Sequence, residues 1–221
     1  MENRDEFRIY QQLNHGGPWH PGYPHVRRAL DTFTTPIQEA MAIMTTTASS
    51  KSPCGIVSVT SLPATPIHRS PEELLKPGLI QVFLALDYLH TKRKLVHTDI
   101  KADNIFIEIE DEEILDDFLK AEMEEASSSR KFVDDTTTAY ASRRFGWPRV
   151  FVLAVLGDFG SAVPGDEGSY HNTQPRSCRS PEVLLKAGWS YPVDIWNVES
   201  ACFMVMILME KGIPIVLISL R

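Results

Sequence analysis

Apolar residues along this chain are spaced so that one element after another can be read from them. Phe7, Ile9, Tyr10 and Leu13 recur at near-helical intervals and Gly16-Gly17-Pro18 stops them, which predicts a helix over Glu2 to Asn14. From Thr35 to Arg69 the pattern thins. Thr45-Thr46-Thr47-Ala48-Ser49-Ser50 is low in complexity, and only Gly55 to Thr60 alternates well enough for a strand. Order returns at Ser70-Pro71-Glu72-Glu73, where Ser caps, Pro takes the first helical position and Glu73 completes a capping box. Pro77-Gly78 is expected to break or kink this helix, and beyond it Leu79, Val82, Phe83, Leu86 and Leu89 line one face as far as His90. A β-branched run after Asn104 and an apolar run from Val150 to Leu156 read as strands. Between them Ile109 to Glu125 is acidic, with Ile114, Leu115, Phe118 and Leu119 in an amphipathic helical pattern, and Ser127 to Gly146 reads as a polar connector. The most apolar segment opens at Asp194-Ile195-Trp196. Glu210-Lys211-Gly212 and Pro214 interrupt it, so each apolar piece is too short to span a membrane.

Two stretches carry chemistry. Leu95 to Ile107 reads LVHTDIKADNIFI, placing Asp99 two residues before Lys101 and five before Asn104. Such a loop suits phosphoryl transfer: Asp99 can take up a hydroxyl proton, Lys101 can balance charge on the transferring group, and Asn104 can hold a magnesium ion. At Leu156 to Gly160 the chain reads LGDFG, and the Asp158 carboxylate at a strand end suits magnesium held between nucleotide phosphates. Gly160 is expected to let the backbone turn sharply.

The totals narrow the classes. The apolar fraction of 43% in 221 residues is enough for a packed core, and a net charge of -7 argues against direct nucleic-acid binding while suiting a basic protein substrate. Cys54, Cys178 and Cys202 follow no metal or disulfide spacing and read as reduced intracellular thiols, Cys202 as a packing residue. His15, His20 and His25 recur every five residues among Gly and Pro, off any single helical face, and read as a surface loop. The N-terminus has no apolar run after its charges, so no signal peptide is expected.

The catalytic-loop stretch, LGDFG, Ser180-Pro181-Glu182 and Asp194-Ile195-Trp196, in this order, resemble a eukaryotic protein kinase from roughly Asp5 to Glu210. YLHTKRKLVHTDIKADNI and QPRSCRSPEVLLKAGWSYPVDIWNV are similar to the SR-protein kinase (SRPK-like) group, fungal type. The resemblance implies an α+β protein-kinase-like fold: residues 1–69 as an incomplete small lobe, 70–210 as a mostly helical large lobe with an acidic insert at 109–147, and 211–221 as an atypical tail. It implies a serine/threonine kinase that uses ATP and Mg2+ on Arg/Ser-rich protein substrates serving RNA splicing. Such an enzyme would be a monomer, cytoplasmic and nuclear, with no membrane partner.

Residue by residue, the resemblance assigns Asp99 and Lys101 to catalysis, and Lys101, Asn104 and Asp158 to nucleotide and metal. Glu6 becomes the helix acid that pairs with a strand lysine, here expected upstream of Met1. His97 and Phe159 are supports, with Tyr10 packing toward Phe159. Glu182 is a structural acid, Asp194 in the last helix accepts hydrogen bonds from the catalytic-loop backbone, and Trp196 packs beneath. His20-Pro21-Gly22 looks like a family loop, followed by a strand from Val26 to Thr34. Ala162 to Cys178 becomes a mobile activation segment. Thr98 stands where most such kinases carry Arg, so no activating phosphate should be required. Truncation at both ends and an absent Gly-rich loop are expected to impair activity. A non-catalytic binding module for Arg-rich partners and a small-molecule phosphotransferase are the rivals.

Overall fold

The structure, a computed structural model, describes residues 2–34, 41–46, 56–58, 71–108, 112–125, 129–131, 138–140 and 153–210. It begins with helix α1 (Glu2–Asn14), whose Ile9, Tyr10 and Leu13 are buried while Gln11 and Gln12 face solvent. Gly16 and Gly17 follow in the left-handed region (φ 76° and 101°), which ends the helix at little steric cost. Strands β1 (Arg28–Thr34) and β2 (Met41–Thr46) then form an antiparallel pair with an irregularity between Ala29 and Asp31. The sequence pattern had singled out no strand at β2.

Strand β3 (Ile56–Ser58) pairs with β5 (Ile105–Glu108), and β5 pairs with β8 (Ala154–Leu156), all antiparallel. This three-stranded sheet is the floor on which the candidate site stands. Helix α2 (Pro71–Asp87) packs against it and continues into a π-helical turn, Tyr88–Arg93, closed by Lys94 in the left-handed conformation (φ 56°). Of the break or kink expected at Pro77 the break does not occur, because α2 runs through it. One lost hydrogen bond and a ring clash cost about 3 kcal/mol. Burying Val82, Leu86 and Leu89 returns roughly 1.5–3 kcal/mol each. Phe83, assigned to the buried face, is exposed, and Ala85 and Tyr88 are buried instead.

Short strands β4 (Leu95–Val96) and β9 (Val163–Pro164) pair across the catalytic loop. Helix α3 (Glu112–Glu124) lies between β5 and β8 in the chain, with Leu119 and Met123 exposed on its apolar side. The segment read as a polar connector contains a hairpin, β6 (Ser129–Lys131) with β7 (Thr138–Tyr140). Helix α4 (Pro181–Leu184) and helix α5 (Pro192–Glu210) complete the described residues. Among these residues no helix is long and apolar enough to cross a membrane. Cys54, Ser70, Val150 and residues 211–221 lie outside the described residues.

One apolar cluster joins α1, α2, the catalytic loop and α5 through Tyr10, Leu13, Val26, Leu86, Leu89, Ile100, Leu156, Phe159 and Val198. Cys202 packs against it, and burial pushes its thiol up to about 11. A smaller cluster of Val96, Val183, Trp189 and Val193 seats α4 on α5. Trp196, expected to pack beneath, is 40% exposed. The histidines divide among three environments. His15 is exposed, His20 lies 3.4 Å from the Asp87 carboxylate, and His25 is buried with Nδ1 3.0 Å from the Ala154 carbonyl. Burial holds the His25 pKa below the usual imidazole range, which makes it a core residue and not part of a surface loop.

Candidate active site

The loop between β4 and β5 is held in shape by a residue almost a hundred positions away. Asp194, wholly buried at the start of α5, accepts hydrogen bonds from the backbone N–H of His97 and of Thr98, each 2.8 Å, and lies 2.9 Å from His90 Nε2. Between those contacts Thr98 adopts φ 67°, a left-handed conformation that is costly for a β-branched residue. The strain persists because both of its ends are tied: the Thr98 hydroxyl also donates to the Ser161 carbonyl at 2.9 Å. The turn at Thr98 delivers Asp99 to the surface of the loop.

Around Asp99 the geometry is tight. Lys101 Nζ donates to its Oδ2 at 2.8 Å, and the Asn104 amide donates to its carbonyl at 2.8 Å and to Oδ2 at 3.1 Å. Asp99 keeps about a fifth of its side chain exposed, whereas Asn104 is buried. With its amide nitrogen spent on Asp99, Asn104 has its oxygen left to offer a cation. Burial works to lower the Lys101 pKa, but its hydrogen bond to Asp99 and the charges of Asp99, Asp158 and Asp103 outweigh it, and the net direction is up. Lys101 therefore stays a cation among three carboxylates.

Asp158 reaches the same place through the sheet. Ile105 pairs with Leu156, and the Gly157 N–H donates to the Asn104 carbonyl at 2.9 Å, so Asn104 and Asp158 leave neighbouring strands side by side. The turn expected at Gly160 is present, closed by the Ala162 N–H donating to the Phe159 carbonyl at 3.1 Å, but the left-handed residue lies before it. Asp158 itself takes the left-handed conformation (φ 63°), and a Cβ at position 160 would meet no atom closer than 3.5 Å. Beneath it Phe159 is fully buried, with His97 tilted against its ring at 5.0 Å and Tyr10 edge-on at 5.7 Å. His97 also places Nε2 3.0 Å from the Gly157 carbonyl and accepts from the Asp99 N–H through Nδ1 at 3.3 Å, so it braces both loops.

Glu6 of α1 faces this turn. Its carboxyl pKa is raised, by burial and by the negative charge of Asp158. Because the folded-state pKa lies above the unfolded one, the favourable contribution is complete below the ordinary carboxylate pKa and is lost as pH rises through the folded value. Glu6→Gln should therefore unfold at a higher temperature than the natural chain at neutral pH, with the gap closing toward about pH 4. Thermal melts across that range check the point, and a pH-independent gap would contradict it. Tyr10 beside it stays a phenol, pushed up to about 12 by burial first and then by Glu6.

Not every candidate comes to this cluster. Glu182 is half-buried on α4. The segment expected to be a mobile activation segment makes several contacts with its surroundings. Val163–Pro164 forms β9, Ser169 bridges Trp189, and buried Gln174 holds Ser180, Val193 and Asn197. Arg27 was missed. Its backbone N–H donates to the Leu156 carbonyl at 2.8 Å, and its guanidinium carbon lies 4.5 Å from the Phe106 ring centre.

The donor set can be tested against a magnesium ion. Among the described residues no three His, Cys, Asp or Glu side chains are grouped to hold a metal by themselves. One amide oxygen and one carboxylate, Asn104 and Asp158, fit the sparse all-oxygen set that Mg2+ accepts when phosphates complete its shell. Burial first, and then the negative charge of Asp158, raise the Glu6 pKa beside this donor set.

No family model matches the chain. A solved kinase domain superposes with a TM-score of 0.58 at 21% identity, covering 93% of this chain and 52% of that one, which shows the fold. Over 134 residues the chain is 43% identical to a serine/threonine protein kinase of Aspergillus fumigatus, covering 58% of this chain and 30% of that protein. It is 29% identical over 151 residues to the serine/threonine-protein kinase SRPK of Physarum polycephalum, covering 60% of this chain and 35% of that protein. The chain is similar to serine/threonine protein kinases, an SRPK among them. A third match to this kinase relative, at 33% identity over 120 residues, is the mouse dual specificity protein kinase CLK1, of which 20% is covered. The chain thus spans between 20% and 35% of the length of these curated relatives.

Proposed function

We propose that this chain carries the phosphoryl-transfer floor of a serine/threonine protein kinase that uses ATP on serines of Arg/Ser-rich proteins in cytoplasm and nucleus. The observation that carries the reading is the Asp99 carboxylate, oriented by Lys101 at 2.8 Å and Asn104 at 3.1 Å and still open to solvent. A substrate serine hydroxyl would donate its proton to Asp99 as its oxygen attacks phosphorus. Lys101, kept cationic by its neighbours, would balance charge on the transferring group. Asn104 and Asp158 would hold Mg2+, which when bound neutralises charge on the nucleotide phosphates. The net charge of -7 and the SRPK relative favour a basic peptide as substrate.

The test is incorporation of labelled phosphate from ATP and magnesium into an Arg/Ser peptide by the purified chain. Phosphate is expected on serine, with no strong rise in rate after phosphorylation of the activation segment, because Thr98 offers no cation to engage such a phosphate. Nucleotide and peptide binding without transfer would favour a non-catalytic module for Arg-rich partners instead.

A further inference from the structure

Arg27 is an unusual group to find against this turn. An arginine in a strand-side position ordinarily carries its guanidinium out to water, yet Arg27 is half-buried and its Nε is buried with no hydrogen-bond partner. Its stem runs over Gly157, the residue before Asp158. A Cβ there would stand 2.9 Å from Arg27 Cδ, 3.2 Å from Arg27 Cβ and 2.9 Å from Phe106 Cε2. Any side chain at 157 would expel the arginine or the ring. The Phe106 ring then takes the guanidinium at 4.5 Å. Glycine, ring and backbone anchor at Leu156 together form a slot that fits this side chain.

The electrostatics point the same way. Burial lowers the Arg27 pKa, while Tyr10 and Asp158 oppose that shift, so the cation is desolvated and lies within the field of Asp158. A desolvated cation with an unsatisfied donor is costly, and an anion arriving beside Asp158 would offset that cost.

We propose that Arg27 is a phosphate-binding residue of this site, a second cation beside Lys101 that engages the polyphosphate of the nucleotide. The inference rests on the reading of the site as a nucleotide site, and adds a residue to it. A guanidinium can hold phosphate oxygens through two parallel N–H donors, a geometry that a lone ammonium does not supply. The slot at Gly157 fixes the group before the ligand arrives, so little side-chain freedom is lost on binding.

The test compares ATP with magnesium against adenosine, each titrated calorimetrically into the natural chain and into Arg27→Met, which keeps the apolar stem. The expected result is a loss of about tenfold or more in ATP affinity with adenosine affinity unchanged, since a charge-assisted hydrogen bond is at stake. Arg27→Lys, which keeps the charge without the fork, should give a smaller loss confined to ATP, and it decides the matter if Arg27→Met fails to fold. Unchanged ATP affinity would overturn the inference and leave the nucleotide reading standing. An equal loss of ATP and adenosine would also overturn it, by making Arg27 structural. A natural chain that binds neither ligand would remove the nucleotide reading itself.

Discussion

Asp99→Asn is expected to slow phosphate transfer to peptide by about 10²- to 10⁴-fold, the usual contribution of a positioned general base. The amide keeps the size of the carboxylate and can still accept from Lys101 and Asn104, so the loop has no reason to collapse. What disappears is the capacity to take the serine proton. The ion pair lost to Lys101 is partly solvated and contributes only about 0–1 kcal/mol to stability. The signature is therefore a fall in kcat, with ATP affinity and unfolding midpoint nearly unchanged. Initial-rate kinetics beside a thermal melt separate the two, and a variant that transfers phosphate at the natural rate would remove Asp99 from its role.

Asp194→Ala is expected to strike stability as hard as Asp99→Asn strikes rate. Removing this carboxylate strands the buried N–H groups of His97 and Thr98 and deprives His90 of its partner. Two unsatisfied buried donors at about 1–3 kcal/mol each give a loss of about 2–6 kcal/mol. For a chain of this length that lowers the melting temperature by about 10 °C. Thr98 would also be free to leave its left-handed conformation, so Asp99 should lose its aim even in molecules that remain folded. Chemical denaturation measures the first effect. A midpoint within 1 kcal/mol of the natural chain would show that the loop does not depend on α5.

The sequence exposed this region well where function crowds side chains together. Asp99, Lys101 and Asn104 fall within six residues of one another, and their types are uncommon together between two apolar runs. Backbone conformation was less legible. The turn at Gly160 was readable because glycine is the permissive residue, yet tertiary ties force left-handed conformations on Asp158 and Thr98, and no local signal records those ties. Pro77 misled where it suggested a break: its local cost is real, and the burial that outweighs it depends on partners distant in sequence. Phe83 and Trp196 fit an apolar pattern that takes no account of which faces are covered. Arg27 stayed hidden because an arginine in a sequence is read as surface by default, and the slot at Gly157 exists only once β5 and β8 are paired.

The ties from Asp194 to His97 and Thr98 reach across 97 and 96 positions of the chain. Contacts that far apart form only after the intervening polypeptide has been synthesised and gathered in. A nascent chain still short of Asp194 on the ribosome would already contain Asp99, Lys101, Asn104 and Asp158 with nothing to arrange them. The arrangement of Asp99 thus waits for the emergence and docking of α5.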